Sequence, residues 1–98
     1  MKKLKDWFQE QKITEVECII PDLTGIARGK IMPADKFLRN EGSRMPEAVL
    51  LQSVTGEWIP YENLFDVDPA EIDMQLRPDP STTCVVPWVE EPTAQVIH

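Results

Sequence analysis

The chain has 98 residues, which suffices for one small domain and is too short for a second full hydrophobic core. Hydrophobic residues make up 42% of it, which excludes a disordered chain, and nine prolines predict short strands and many turns. The formal net charge is -7, and residues 50–98 hold nine acidic groups against one basic group. Such an acidic half would repel phosphate backbones, so it argues against nucleic-acid binding and suits a cationic partner.

The cysteines, the histidine and the apolar runs predict neither a metal site nor a membrane span. Cys18 and Cys84 are isolated and His98 is the last residue, so no zinc pattern can be assembled. We expect both cysteines to be reduced, buried thiols. No apolar run approaches the roughly 20 residues of a membrane helix. Asp6 and Glu10 interrupt the amino-terminal segment where a signal peptide would need an apolar stretch. The sequence therefore predicts a cytoplasmic protein.

Residues 2–33 predict a helix followed by a β-hairpin. Leu4, Trp7 and Phe8 have helical spacing within residues 2–12, as in a short amphipathic helix that covers a sheet. Apolar and polar residues then alternate in T-E-V-E-C-I-I, and I-A-R-G-K-I-M follows after a short turn. Gly29 in the second strand predicts a bulge or a close backbone approach.

The middle of the chain has weaker signals. A short helix is predicted in A-D-K-F-L-R, entered through Pro33. Residues 39–46 have no periodicity and predict a mobile loop. A-V-L-L-Q-S-V then resembles a buried strand, whereas residues 55–70 mix aromatic residues with prolines, a glycine and acids and predict an irregular segment.

The last third predicts three more strands. E-I-D-M-Q-L-R alternates, turns at P-D-P-S and leads into T-T-C-V-V-P-W, and a final strand begins at Thr93. Because the sequence stops inside this apparent strand, we expect the 98 residues to be a piece of a longer chain. We also expect the last strand to present an exposed sheet edge.

These elements predict a single α+β domain over residues 1–98. Its arrangement is β-grasp-like, with a mixed or antiparallel sheet of about five strands covered by the amino-terminal helix. The four glycines are isolated, so no P-loop or dinucleotide-binding motif is present, and we expect the chain alone to bind no cofactor or metal. Nothing at a terminal residue is expected to orient His98 as a base, so no catalytic residue is predicted within this chain alone.

Three blocks of the sequence carry a family resemblance. They are E-V-E-C-I-I-P-D-L-T-G-I-A-R-G-K-I-M-P-A-D-K-F-L, then Q-S-V-T-G-E-W, then D-M-Q-L-R-P-D-P-S-T-T-C-V-V-P-W. Together, from about Trp7 to Ile97, they closely resemble the amino-terminal domain of the glutamine synthetase family. The most specific element is D-M-x-L-x-P-D-x-S-T, with Pro87 and Trp88 after it.

The resemblance implies a β-grasp domain that precedes a larger catalytic domain, which holds ATP and Mg or Mn. In this family the subunits form homo-oligomeric rings, and the amino-terminal domain of one subunit completes the active site of its neighbour. The expected partners are therefore the chain's own catalytic domain and neighbouring subunits, with glutamate and an amine as substrates. The implied reaction makes an acyl phosphate of glutamate, from which an amine displaces phosphate.

One loop departs from the family pattern. The family reads F-D-G-S-S-x-G-G-W where residues 50–58 read L-L-Q-S-V-T-G-E-W, so Leu51 replaces the ammonium-binding aspartate and Val54 the second serine. A leucine side chain cannot hold an ammonium ion or accept its proton. The departure favours a larger amine and resembles the γ-glutamylputrescine or γ-glutamylpolyamine ligases. An ammonia-using glutamine synthetase and a stand-alone β-grasp interaction module without catalysis are the alternatives.

Four residues are candidates for the amine site that the resemblance implies in the adjacent subunit. Asp73 matches a family aspartate near the amine; alternatively it is an outward-facing strand residue. Glu57 replaces a family glycine, and it either supplies negative charge or is a solvated carboxylate. Trp58 matches the family tryptophan on this loop and would contact the nucleotide or the amine in the adjoining subunit; alternatively it is a core residue. Ser53 is a weaker match with the same contact role.

A spaced acidic run follows in the same long loop. Asp66, Asp68 and Glu71 would attract a diamine or polyamine whose methylenes pack on nearby aromatic rings; alternatively they form a solvated surface loop. Arg28 and Lys30 in the hairpin are assigned to subunit contacts or solubility.

Overall fold

The computed structural model describes residues 2–21, 25–46, 57 and 73–98. Within these residues the helices are α1 (Lys2–Glu10) and α2 (Ala34–Asn40). The strands are β1 (Glu15–Pro21), β2 (Ala27–Pro33), β3 (Ser43–Pro46), β4 (Asp73–Leu76), β5 (Cys84–Val85) and β6 (Thr93–Ile97), and a 3₁₀ helix (Pro80–Thr82) precedes β5. The strand predicted within residues 48–54 and the irregular segment predicted at 55–70 lie outside the described residues, apart from Glu57.

The strands form two sheets. The main sheet has the order β2-β1-β6-β5, with β1 parallel to β6 and the other two pairs antiparallel. Strands β3 and β4 form a separate antiparallel pair. The α+β, β-grasp-like class is confirmed, but the described strands divide into a mixed sheet of four and a pair, whereas about five were predicted in one sheet.

The hairpin predicted at the start of the chain is confirmed. Its register runs without interruption from Glu15 opposite Pro33 to Pro21 opposite Ala27, so the bulge predicted as one possibility at Gly29 is wrong. The other possibility, a close backbone approach, is confirmed because a Cβ at position 29 would overlap the carbonyl oxygen of Cys18. A side chain at this position would therefore push the two strands apart.

The core lies between the helices and one face of the main sheet. Phe37 of α2 is fully buried, and its ring centroid lies 5.8 Å from that of Phe8 of α1. The parallel register places Val16 beside Ala94 and brings these buried positions of β1 and β6 under the helices. The buried cluster consists of Leu4, Phe8, Ile13, Val16, Cys18, Met32, Ala34, Phe37, Ala94 and Val96. The predicted helix that covers a sheet is thereby confirmed, as is the helix entered through Pro33.

The mobile loop predicted at residues 39–46 is wrong. Helix α2 continues to Asn40 and ends at Glu41, whose φ of 53° is left-handed. Gly42 follows with a φ of 135°, and a Cβ there would overlap the carbonyl oxygen of Leu76. Strand β3 then pairs with β4, whose residues come from a distant part of the sequence. A pairing of this kind leaves no local periodicity in so short a strand, which explains the error.

The exposed edge predicted for the last strand is also wrong. Strand β6 is hydrogen-bonded to β1 on one side and to β5 on the other, so the edges of the main sheet are β2 and β5. Neither described helix is long and apolar enough to cross a membrane.

Candidate functional site

Asp73 is the first residue of β4 and is exposed. It lies opposite Pro46 of β3, and two residues further along β4 Gln75 lies opposite Arg44. Alternation along a strand puts Asp73 and Gln75 on the same face of this pair. The carboxylate is therefore accessible from outside the domain, as either interpretation of Asp73 requires, and its contact with an amine stays a prediction.

The other candidates are described only in part. Glu57 is exposed. Ser53 and Trp58 lie outside the described residues, as do Leu51, Val54 and the acidic run at 66–71. Their roles stay predictions.

Residues 79–82, within the most specific block of the family resemblance, form a structural turn. Asp79 Oδ1 accepts hydrogen bonds from the Ser81 amide at 3.1 Å and from Ser81 Oγ at 2.6 Å. Thr82 Oγ1 donates to the Asp79 carbonyl at 2.7 Å and accepts from the Ile97 amide at 2.9 Å. The Asp79 amide in turn donates to the Ile97 carbonyl at 2.8 Å. These residues therefore cap the 3₁₀ helix and fasten it to the end of β6.

Three large apolar side chains in and after the edge strand β5 are exposed. Trp88 is 73% exposed, and Val85 and Val89 are 45% and 42% exposed. The tryptophan of the P-W pair is thus accessible rather than part of the core of the described domain.

The two cysteines differ, so the prediction of two buried thiols is right only for Cys18. Cys18 is buried and Cys84 is exposed, and both are free. Burial raises the pKa of the Cys18 thiol to about 11, and the positive charge of Lys30 opposes this shift. Among the described residues, no group of three histidine, cysteine or acidic side chains is placed to hold a metal ion.

The expectation that nothing orients His98 is wrong. Its ring makes an edge contact with Phe37 at a centroid distance of 5.8 Å, and its amide donates to the Ile19 carbonyl at 2.8 Å. Nδ1 lies 3.0 Å from the Val96 carbonyl oxygen and so carries the ring proton. Burial lowers the pKa of the imidazole, while the hydrogen bond to Val96 acts in the opposite direction.

A basic cleft of about 540 Å³ lies where β2, α2 and the β3–β4 pair meet. Its charged lining residues are Lys30, Lys36 and Arg44. The sequence interpretation assigned Lys30 to subunit contacts or solubility and singled out neither of the other two. The sequence signal for this cleft was the high proportion of basic residues in the first half of the chain. That proportion does not show which of these residues lie close together.

Comparison with known proteins concerns the fold. A scan against protein-family models finds no match, and no curated protein matches the sequence. Among solved structures, an ADP complex of GmaS is similar with a TM-score of 0.71 and 22% identity over 99% of this chain. GmaS without ligand gives a TM-score of 0.67, also at 22% identity over 99% of the chain. The chain spans 20% of the length of each GmaS chain, so it has the fold of a fifth of that protein.

Proposed function

We propose that this chain is the amino-terminal domain of an ATP-dependent glutamate–amine ligase of the glutamine synthetase type. The observation that carries the proposal is the fold, which matches a fifth of GmaS over 99% of the chain. GmaS is a γ-glutamylmethylamide synthetase of the glutamine synthetase family. The three sequence blocks that resemble this family's amino-terminal domain support the same assignment.

In this proposal the reacting groups come from elsewhere in the enzyme. Formation of an acyl phosphate on the glutamate γ-carboxylate needs ATP and a divalent cation such as Mg or Mn to hold the phosphoryl charge. The described residues offer no metal cluster, and the sequence has no phosphate-binding loop. As the family resemblance implies, a separate catalytic domain supplies these groups in this proposal, and the present domain shapes the amine side of the pocket.

We place that pocket in the neighbouring subunit of a homo-oligomeric ring. The exposed carboxylates of Asp73 and Glu57 favour this arrangement, because an adjacent subunit can reach them. Their negative charge suits a protonated amine, which must bind near an anion and lose a proton before it attacks. The free cysteines suit a reducing compartment, and we place the enzyme in the cytoplasm.

The amine in this proposal is larger than ammonia. Leu51 and Val54 replace polar family residues and leave no acceptor for an ammonium ion at those two positions. An amine with a hydrocarbon part gains from apolar contacts that ammonia cannot make. In addition, the negative charges of the acidic run at 66–71 would attract the positive charges of a diamine or polyamine.

The test is Asp73→Asn in the full-length enzyme, assayed with ammonia, methylamine and putrescine. Removing a charged hydrogen-bond partner costs about 1.5–3 kcal/mol, so kcat/KM for the amine is expected to fall at least roughly tenfold. The KM for ATP should stay within about twofold, since the carboxylate acts on the amine.

Glu10→Gln is the control, because it removes another exposed carboxylate, from α1. It is expected to leave all three activities unchanged. Equal losses for amine and ATP with Asp73→Asn would contradict the role of Asp73. Faster turnover of ammonia than of both larger amines would contradict the proposed substrate class.

A further inference from the structure

The basic cleft gathers positive charge from the first half of the chain, which carries nine of the ten basic residues. The chain as a whole has a net charge of -7, yet the lining includes Lys30 of β2, Lys36 of α2 and Arg44 of β3. None of the lining residues is acidic; the others are Ile31, Met32, Pro33, Asn40, Gly42, Ser43 and Gln75. Three positive charges from three separate elements therefore meet in one concave surface.

No ion pair with a described carboxylate is formed by Lys30, Lys36 or Arg44, although the sequence is rich in acids. Like charges gathered in a concave site raise the local potential and attract counter-ions. An anion that bridges two of these side chains would relieve this repulsion.

The remaining polar groups of the lining suit an oxyanion. Asn40 and Gln75 each carry two N–H donors. Ser43 is buried, and its hydroxyl makes no hydrogen bond with any residue that the structure describes. A buried hydroxyl without a partner is unfavourable, so a ligand oxygen or a water bridging to one would stabilise this position.

The volume of the cleft suits a small molecule. Its volume of about 540 Å³ falls within the range of small-molecule sites, which is about 300–1,000 Å³. Arginine binds carboxylate or phosphate groups with its planar fork, while lysines act as point charges. Ile31, which is 60% exposed, and Pro33 add an apolar wall.

We propose that this cleft binds a small molecule with two or more oxyanion groups, held by Lys30, Lys36 and Arg44. Carboxylate and phosphate groups share the required chemistry. The proposal rests on the cleft alone and does not depend on the ligase assignment.

The experiment titrates the 98-residue chain with tripolyphosphate, with citrate and with a polyglutamate peptide, each at constant ionic strength. Binding is followed by calorimetry and by NMR shifts of the Lys30, Gly42, Arg44 and Gln75 amides. The combined Lys30→Gln, Lys36→Gln and Arg44→Gln variant is expected to weaken binding at least roughly tenfold, because each charged contact is worth about that factor. Binding by the unaltered chain should also weaken as salt is raised.

The control variant combines Lys2→Gln, Lys3→Gln and Lys5→Gln, which removes the same charge from exposed positions of α1. It is expected to bind within about twofold of the unaltered chain. If the cleft variant does not fold by circular dichroism, its three single substitutions are measured instead, and each should weaken binding severalfold.

Binding of tripolyphosphate alone would identify phosphate as the preferred group, and binding of citrate alone would identify carboxylate. Three results would overturn the proposal: no binding of either anion, equal weakening in the cleft and control variants, or binding of a polyglutamate peptide alone. The last result would make the cleft a contact for an acidic polypeptide.

Discussion

Cys18 and Cys84 differ in how far local sequence determines their environment. Cys18 lies in β1, where alternating residues predict which side chains point inward, and its burial follows that alternation. Cys84 lies in the two-residue edge strand β5, both of whose residues are exposed. A strand of two residues is too short to show an alternating pattern. The burial predicted for Cys84 is therefore wrong.

The raised pKa of Cys18 predicts a loss of stability in alkali. In the unfolded chain the thiol ionises near its ordinary pKa of 9.0, whereas in the folded domain it stays protonated up to about 11. Between these values the unfolded state binds fewer protons, so the free energy of unfolding falls as pH rises. The contribution of the thiol is complete below pH 9. Urea midpoints measured at pH 8 and at pH 10.5 should therefore differ, with the lower midpoint at pH 10.5.

Cys18→Ala provides the comparison, because alanine cannot titrate. This variant is expected to be less stable at pH 8 owing to the lost side-chain volume. Its urea midpoint should change less between the two pH values than that of the unaltered chain. The same change in both proteins would contradict the assignment of this pH dependence to Cys18.

At the scale of elements, the β1–β2 hairpin depends on the absence of a side chain at Gly29. The register is continuous through Ile19 opposite Gly29, and the backbone of β1 occupies the space that a Cβ would need. The neighbouring atoms belong to the backbone of Cys18 and Ile19, so no side-chain rotation can make room.

Gly29→Ala is expected to destabilise the domain by about 1–3 kcal/mol, the usual cost of overpacking. The measurement is the free energy of unfolding in urea. Lys30→Ala in the same strand is the control, since Lys30 is exposed and a surface substitution changes stability by about 0.5 kcal/mol or less. A Gly29→Ala variant as stable as the control would show that the strands adjust without cost.

Elements with strong local patterns were predictable from the sequence. The spacing of Leu4 and Phe8 predicted α1, and alternation with a short turn predicted the hairpin. Strand β3 was missed because its partner β4 lies far along the chain. The central place of β6 was missed because its pairing with β1 is equally non-local.

The candidate sites also differ in whether local sequence patterns could predict them. The outward position of Asp73 follows from alternation in β4 and was available from the sequence. The basic cleft was not, because it joins Lys30 to Arg44 and Gln75, and the pairings that position these residues belong to two different sheets. The sequence shows how many such charges the chain has, but it does not show that they lie close together in the fold.

At the scale of the whole molecule, the chain spans 20% of the length of the GmaS chains that are similar to it in fold. We expect the 98 residues alone to be inactive as a ligase, because the proposed function assigns the ATP and metal sites to a separate catalytic domain. Incubation with glutamate, ATP, Mg²⁺ and each amine should release phosphate at the rate of a blank without protein. Release above that rate, retained through repeated purification, would show that the domain itself carries the chemistry.

The parallel pairing of β1 with β6 has a consequence for biosynthesis. Glu17 and Gln95, whose side chains are hydrogen-bonded at 2.9 Å, are 78 residues apart in sequence. Because contacts of such separation form only after a long loop closes, they delay folding. During synthesis on the ribosome, β1 can pair with β6 only after Thr93–Ile97 have left the exit tunnel. Until then β1 keeps an open hydrogen-bonding edge, so this interval is when a chaperone would be most useful.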